Sequence, residues 1–589
     1  VTRAFLDVER SLVGRRWRAR LDANGEARAQ AIAQATGRSE LLARILAGRG
    51  VEIDAVDRHL EPTLRDLMPD PLTLADMGAA TERLVRAIAR RERVAIFGDY
   101  DVDGACAAAL LGEYVGGFGC ETLIRIPDRV TEGYGPSVEA MREFRAAGAT
   151  LVVTVDCGAV SFEPFAEAAR LGLDVVVFDH HQARETLPTA LALVDPNRQD
   201  DLSGLGSLCA AGVVFMALVE LNRRLRGAGA VPDLKAKLDL VALATVADVV
   251  PLVGLNRAFV ARGLETMRRR ERPGLAALLD VAGAGGPPTP YHLGFLIGPR
   301  INAGGRIGDA ALGSRLLMTA DAVEAAKIAG ELDRLNRERQ RIEAGVLLEA
   351  EAQALAALGL EERGACVIVA SEGWPPGVVG LVASRLKDRF GRPAFALALN
   401  GGTATGSARS IPGVDIGRIV QEMVASGHAM KGGGHAMAAG LTISRERLGE
   451  ARAHLEAALQ GPVAEARRDD ALAIDAALAA AAATPELLRA VEAAGPYGSG
   501  HPEPVFALPR HRVEGVARVG ADHLRFRAVA ADGRALEGIA FRAADKPLGQ
   551  GLISLQGGYA HLAGALSLDS YGGRERVRLR LMDAAAALA

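Results

Sequence analysis

From about residue 80 to 200 the chain alternates short, continuous apolar runs with helical patterns. The runs are VAIF (94–97), ETLIRIPD (121–128), LVVTVDCG (151–158), DVVVFDHH (174–181) and LALVDP (191–196), with helical stretches near 137–147 and from 162. Strands that are apolar on both faces, each followed by a helix, predict a parallel sheet covered by helices on both sides. Residues 321–358 contain no proline and place Ile328, Leu332, Leu335, Ile342 and Val346 on one helical face. This predicts a helix about 55 Å long at 1.5 Å per residue, a strut between two domains that Gly330 and Gly345 could bend. A second α/β unit starts at ACVIVASEG (365–373) and runs to about 460. After an Ala-rich stretch (471–483), PVFALPRHRVEGVARVG, HLRFRAVAADGRALEGIAF and RERVRLRLMDA alternate apolar and basic positions around DG and GG turns. That pattern predicts a small antiparallel β-domain. The first 75 residues carry helical stretches, RAQAIAQATG and SELLARILAGRG, followed by Pro62, Pro69 and Pro71. The expected partition is therefore a helical extension (1–75), a parallel-sheet α/β domain (76–320), a connecting helix (321–360), a smaller α/β domain (361–460) and a β-barrel domain (461–589).

Open parallel sheets bind ligands beyond the carboxyl ends of their strands, and this chain puts acids and histidines there. VAIF runs into Asp99, Asp101 and Asp103; LVVTV ends in Asp156; DVVVF ends in Asp179, His180 and His181; the apolar helical run LDLVALATVADVVPL carries Asp248. Carboxylates two apart on an extended segment share a face, so Asp99, Asp101 and Asp103 are expected to converge on one point. One or two Asp in such a turn commonly only cap the next helix. Three repel one another and call for a positive partner, a metal cluster. In the second unit, GGGHAMAAG (432–440) offers backbone N–H groups to an anion, with His435 inside it and Arg409 and Ser410 before it.

A length of 589 residues implies about three or four domains. Aromatics are only 4%, so the interior is aliphatic. The net charge of -3 excludes a generally basic polyanion binder and leaves room for a local basic groove. Five cysteines, none in a CxxC pair, read as reduced packing residues. The N-terminal stretch has no apolar signal core and no run is long enough to span a bilayer, so the expectation is a soluble cytoplasmic protein.

GDYDVDG (98–104), VDCG (155–158), DHH (179–181) and ATVADVVPL (244–252) resemble the four motifs of the DHH phosphoesterase superfamily. With GPRINAGGRIGDA (298–310), SEGWPPGVVGLVASRL (371–386), GSARSIPGVD (406–415) and GGGHAMAAG, they resemble the RecJ family of exonucleases specific for single-stranded DNA. The resemblance extends from about residue 80 onward. It implies a DHH domain joined by the long helix to a DHHA1 domain across a central groove, and an OB-like barrel at the end. It further implies two divalent cations, Mg²⁺ or Mn²⁺, held by Asp101, Asp103, Asp156, His180 and Asp248, with Asp156 bridging. His181 is implied at the scissile phosphate or the leaving oxygen. Several superfamily members carry His four residues before Asp101; here the position is Phe97, which cannot ligate, and Asp99 is its candidate substitute. The implied substrate contacts are Arg129, Arg300, Asn302, Arg306, Ser407, Arg409, Ser410, Gly433, Gly434 and His435. In the barrel, Arg510, Arg512, Arg518, Arg525, Arg527, Arg576, Arg578 and Arg580 form a candidate strand-binding face.

The implied reaction is hydrolysis of single-stranded DNA from its 5' end to 5'-mononucleotides, in DNA repair and recombination. The implied protein partners are a single-strand-binding protein and a helicase. Two other readings stand beside it: a phosphoesterase of the same superfamily acting on short oligonucleotides or small phosphorylated molecules, and a non-catalytic DNA-binding scaffold. The barrel favours a polymeric substrate over the first, and the complete ligand set argues against the second.

Overall fold

The computed structural model describes residues 3–587 apart from 130, 228, 360–362, 469 and 572–573. The GG turn at 572–573 and the expected junction at 360–361 lie outside the described residues. The chain forms two compact units: Met68–Val250 with Phe259–Asp469, and Val1–Leu67 with Pro251–Ala258 and Asp470–Ala589.

The first unit is built on a five-stranded parallel sheet. Its strands, in spatial order, are Thr122–Arg125, Val94–Gly98, Leu151–Val155, Asp174–Phe178 and Ala192–Val194. Val94–Gly98 and Leu151–Val155 are buried at every position, as their unbroken apolar runs require. In chain order the arrangement is 2-1-3-4-5. It reverses direction between Val94–Gly98 and Leu151–Val155, and at such a switch point the connections leave in opposite directions and open a crevice. The acids after Gly98 and Val155 fall at that crevice.

Helix Ala322–Leu358 is continuous over 37 residues, through both Gly330 and Gly345. Asp321 caps it by accepting the Val323 N–H at 2.8 Å, and Ile328, Leu332, Leu335 and Val346 are buried along its apolar face. It packs on Pro273–Val281 and Gly298–Ile307 and, through Val346, Ala350, Ala354 and Leu358 of its second half, on Pro376–Phe390. The helix thereby joins the parallel sheet to a second, mixed sheet in the order Lys431–His435, Ala438–Ser444, Thr403–Arg409, Ala394–Asn400, Val367–Glu372. Only the last pairing of that sheet is parallel.

The second unit contains a closed five-stranded barrel: Phe506–Val519, His523–Val529, Ala535–Ala540, Arg574–Ala586 and Tyr559–Tyr571, which returns to Phe506–Val519. The barrel is not wholly antiparallel, because Ala535–Ala540 pairs with Arg574–Ala586 in parallel. Helix Pro547–Ser554 lies in the connection from Ala535–Ala540 to Tyr559–Tyr571. Residues 1–67 share this unit and do not stand apart as a helical extension. Strand Arg16–Ala19 pairs in parallel with Ala471–Ile474, and the buried Trp17 donates its indole N–H to Asp583 Oδ2 at 2.9 Å. Ile32, Ile45 and Leu46 of the N-terminal helices belong to the same core as Phe506 and Leu562. All five cysteines are buried and free, as expected of packing residues. Among the described residues no helix is long and apolar enough to cross a membrane.

Candidate metal centre and anion pocket

Beyond Gly98 the chain turns sharply into helix Val102–Gly117. Asp101 is its N-cap and accepts the N–H groups of Asp103 at 2.8 Å and Gly104 at 3.2 Å. Because the helix begins at Val102, the three aspartates do not share one face of an extended segment. Asp103 is swung inward, where its Oδ2 and Oδ1 accept the Ala210 and Ala211 N–H groups at 2.6 and 2.8 Å. Those are free donors of the first turn of helix Ala210–Leu225. Gly104 makes the turn possible: a Cβ there would lie 2.4 Å from the Asp99 carbonyl oxygen.

The other ligands come from three further elements. Asp156 adopts a left-handed backbone (φ 62°) directly after Leu151–Val155. His180 and His181 follow Asp174–Phe178, and Asp248 is the C-cap of helix Leu238–Ala247. His180 Nε2 stands 3.2 Å from Asp156 Oδ1, 3.7 Å from Asp103 Oδ2 and 3.8 Å from Asp248 Oδ2. Two groups of ligand atoms result, each within 4.8 Å: Asp99, Asp101 and Asp156, and Asp103, His180 and Asp248. Asp156 and His180 also group with His181. Phe97 is fully buried in the core with Met141, Phe144 and Phe165, while Asp99 stands in the first group.

The donor set fits divalent cations. Among the described residues Asp99 Oδ1 and Asp156 Oδ1 are buried without a hydrogen-bond partner. Burial, then the charge of Asp101, drives the carboxyls of Asp99 and Asp156 well above the usual range. Burial, then Asp101, lifts Asp103 to about 7; burial, then Asp103, lifts Asp248 to about 9. Four acids held in this state are waiting for positive charge. Burial and the neighbouring His181 push His180 down to about 4, which leaves it neutral and able to ligate. Oxygen donors with one or two imidazoles suit Mg²⁺ or Mn²⁺.

Asp179 and Tyr134, given no role by the sequence reading, organise His181. Asp179 Oδ1 accepts the backbone N–H of His180 and of His181 and bonds His181 Nδ1 at 2.8 Å; Oδ2 accepts the Ala159 N–H. Burial opposes both charges, yet the Asp179–His181 bond holds Asp179 at about 2 and raises His181 to about 9. The Tyr134 hydroxyl lies 3.1 Å from the Asp156 carbonyl oxygen and 3.1 Å from His181 Nδ1. With Nδ1 engaged, Nε2 is the free nitrogen of His181. Its ring stacks at 6.0 Å on His435 of the mixed sheet.

On that sheet the register places Gly433 and Ser407 opposite Gly440, and His435 and Arg409 opposite Ala438. Directly opposed residues share a face, so Ser407, Arg409, Gly433 and His435 all project to one side, with Gly434 between the last two on the other. Arg409 Nη1 approaches Ser407 Oγ at 3.4 Å and donates to the Ala408 carbonyl at 2.8 Å. Arg306 Nη1 donates to the Gly377 carbonyl at 2.8 Å, and Arg129 lies over the Tyr100 ring at 4.8 Å. Burial, then Arg129, pushes Arg306 down to about 9, and burial with Arg129 also lowers Arg409. Among the described residues none of these three neighbouring arginines has a carboxylate in ion-pair range, so the group is short of anionic partners.

Two expected substrate contacts are occupied elsewhere. Arg300 is paired with Asp333 at 2.9 Å and donates to the Leu296 carbonyl, and so braces its helix against the long one. Ser410 is buried and donates to the Val414 carbonyl at 2.6 Å. Asn302 Oδ1 is buried without a partner.

The chain matches the DHH family N-terminal domain at 93–245, the DHHA1 domain at 364–461 and the RecJ OB domain at 474–583. It is 38% identical to the single-stranded-DNA-specific exonuclease RecJ of Dickeya dadantii over 85% of its own length and 89% of that protein. The chain belongs to the RecJ family. The RecJ of Bacillus subtilis is 32% identical over 92% of this chain and 68% of its own. The crystal structure of RecJ in complex with Mn²⁺ from Thermus thermophilus superposes with a TM-score of 0.77 at 29% identity, covering 96% of this chain and 78% of that one. A Mg²⁺ complex of the same protein gives 0.71 at 28% identity, covering 96% and 77%. RecJ relatives have thus been solved with both of the ions that this ligand set suits.

The raised carboxyls give a pH test. They bind protons more tightly in the folded than in the unfolded chain, so their stabilising share is full below their unfolded values and is lost as pH rises through about 7 for Asp103 and about 9 for Asp248. The melting temperature of EDTA-treated protein should fall as pH goes from about 6 to about 9, and Mn²⁺ should raise it most at the alkaline end. Scanning calorimetry across that range, with and without Mn²⁺, decides; a flat metal-free profile contradicts the acid cluster.

Proposed function

We propose that this chain is a divalent-cation-dependent exonuclease that degrades single-stranded DNA from the 5' end to 5'-mononucleotides. The observation that carries the reading is the adjacency of opposite charge. An acid cluster fit for cations and the mixed-sheet face that carries Arg409 meet where His181 stacks on His435 at 6.0 Å, and Arg306 feels the charges of both Arg129 and Arg409. A strand whose terminal phosphate sits on Arg129, Arg306 and Arg409 presents its first phosphodiester to the acids, and that register sets polarity. Divalent cations at the acids supply the Lewis acidity that lets water attack a phosphodiester near neutral pH. Asp103, fixed by two backbone N–H groups, and His180, held neutral, keep the ligand geometry rigid. His181, held charged by Asp179, offers Nε2–H to a phosphate oxygen or the leaving oxygen.

The relatives named above, single-stranded-DNA-specific exonucleases, support this substrate, and the barrel supports a long one. On the barrel Arg512 pairs with Glu514, and Arg578 with Asp569 and Glu537. Arg576 also reaches Glu537, Arg518 pairs with Asp545 and Arg580 with Glu503. Arg525 and Arg527 are exposed and have no such partner among the described residues, so they are the strongest candidates for phosphate contacts. A helicase and a single-strand-binding protein, which produce and coat the substrate, are the partners this reaction calls for.

The deciding experiment digests 5'-phosphorylated single strands, duplexes and dinucleotides with and without Mn²⁺. Mononucleotides from single strands alone, only with the cation, are expected; cleavage confined to dinucleotides would favour a short-oligonucleotide phosphoesterase. Asp156→Ala should lower turnover on the order of 1,000-fold while single-strand binding survives, and wild-type turnover with Mn²⁺ titrated would remove Asp156 from the centre. Arg409→Ala should weaken binding of 5'-phosphorylated ends about 10- to 100-fold and of 5'-hydroxyl ends much less. Equal losses would mean that Arg409 only follows the backbone. Substituting Arg525 and Arg527 together by Ala should flatten the slope of log K against log salt by about 1.4, at about 0.7 per phosphate of a single strand. An unchanged slope assigns that face to something other than DNA.

A further inference from the structure

Asn197, outside both ligand groups, touches the scaffold of two of their members. It follows strand Ala192–Val194, and its Nδ2 donates to the His180 carbonyl at 2.6 Å and to the Gly206 carbonyl at 3.1 Å. The first partner is the backbone of a ligand. The second lies four residues before Ala210, whose N–H, with that of Ala211, fixes the Asp103 carboxylate. One amide therefore ties the loop presenting His180 to the loop leading into the helix that seats Asp103. His180 Nε2 and Asp103 Oδ2 are 3.7 Å apart and belong to the same group with Asp248.

The chemistry of the position is specific. Both partners are carbonyl acceptors, so the bridge needs a neutral group with two N–H donors, which Asn has and Asp lacks. Asn197 is itself held by its backbone N–H, which donates at 2.8 Å to Oδ1 of Asp195, a fully buried residue. Residue 206 must be glycine for the same contact, because a Cβ there would lie 2.6 Å from Asn197 Oδ1. The other group, Asp99, Asp101 and Asp156, is set by the turn at Gly104 and the left-handed Asp156, and among the described residues Asn197 bonds Asp195, His180 and Gly206 and none of that group.

We propose that Asn197, with Gly206, is a positioning residue that sets the spacing of His180 and Asp103 and so tunes the affinity of one of two cation positions independently of the other. The proposal rests on the metal-binding reading above. It is tested by Mn²⁺ titration calorimetry and thermal melting of the full-length chain stripped of metal. Wild type should take up two Mn²⁺. Asn197→Ala should keep one step at wild-type affinity and weaken the other about 10- to 100-fold, the usual cost of losing an outer-shell partner. Gly206→Ala, which displaces the amide while leaving Asn197 in the chain, should reproduce the split, and both metal-free variants should melt close to wild type. Two unchanged steps in both variants overturn the proposal, as does equal weakening of both steps with a lower metal-free melting temperature. Should Asn197→Ala not fold, Gly206→Ala decides by the same criteria. Asp248→Ala should lose the same step; if it retains both at wild-type affinity, the ligand group itself is wrong, a failure distinct from that of Asn197.

Discussion

Four buried acids at the switch point of the parallel sheet, whose ionised forms burial and their neighbours disfavour, are the constraint on which the first unit depends. Buried carboxylates normally find a cation, a donor or a proton, because an isolated buried charge is prohibitively costly. Here Asp103 receives two backbone N–H groups, but Asp99 and Asp156 each leave a buried oxygen unpartnered. The fold tolerates this because rigid elements deliver the acids: two strand ends, a helix N-terminus and a helix C-cap. No single flexible loop could hold like charges so close.

Three arginines supply the complementary sign: Arg129 after strand Thr122–Arg125, Arg306 from helix Gly298–Ile307 and Arg409 from the mixed sheet. Burial, then the charge of Arg129, loosens the protons of Arg306 and Arg409, and among the described residues none of the three arginines has a carboxylate in ion-pair range. The long helix and the bond from Arg306 to the Gly377 carbonyl tie the two sheets together. Such a pair of opposed deficits is complementary to a phosphodiester, whose anionic oxygens suit arginines directly and acids through divalent cations.

The second unit solves a different problem. A barrel of this size has a small core, and the N-terminal segment enlarges it with Ile32 and Ile45, while its strand beside Ala471–Ile474 buries Trp17 in a separate cluster with Ala507, Ala563 and Ala585. Ion pairs on the barrel surface leave few arginines free, so the number of basic residues in these strands overstates the cationic surface available to a strand of DNA.

Local periodicity determined a great deal. Continuous apolar runs identified the buried strands, the three- and four-residue spacing identified helix Ala322–Leu358, and the acids at the ends of the runs identified the centre, because these signals need only neighbours in sequence. The family motifs did the rest of the identification. Tertiary structure alone decided what depends on distant partners. The strand order brings Gly98 beside Val155. The N–H groups of Ala210 and Ala211 draw Asp103, more than a hundred residues away, out of line with Asp99 and Asp101. Asp333 and Val414 occupy Arg300 and Ser410, which by residue type alone were as fit for phosphate as Arg409. Strand Arg16–Ala19, too basic to announce itself, exists because Ala471–Ile474 offers it an edge. A side chain's type and spacing state what it can do; which partner it meets is fixed by packing across the chain, and that is not written in any one segment.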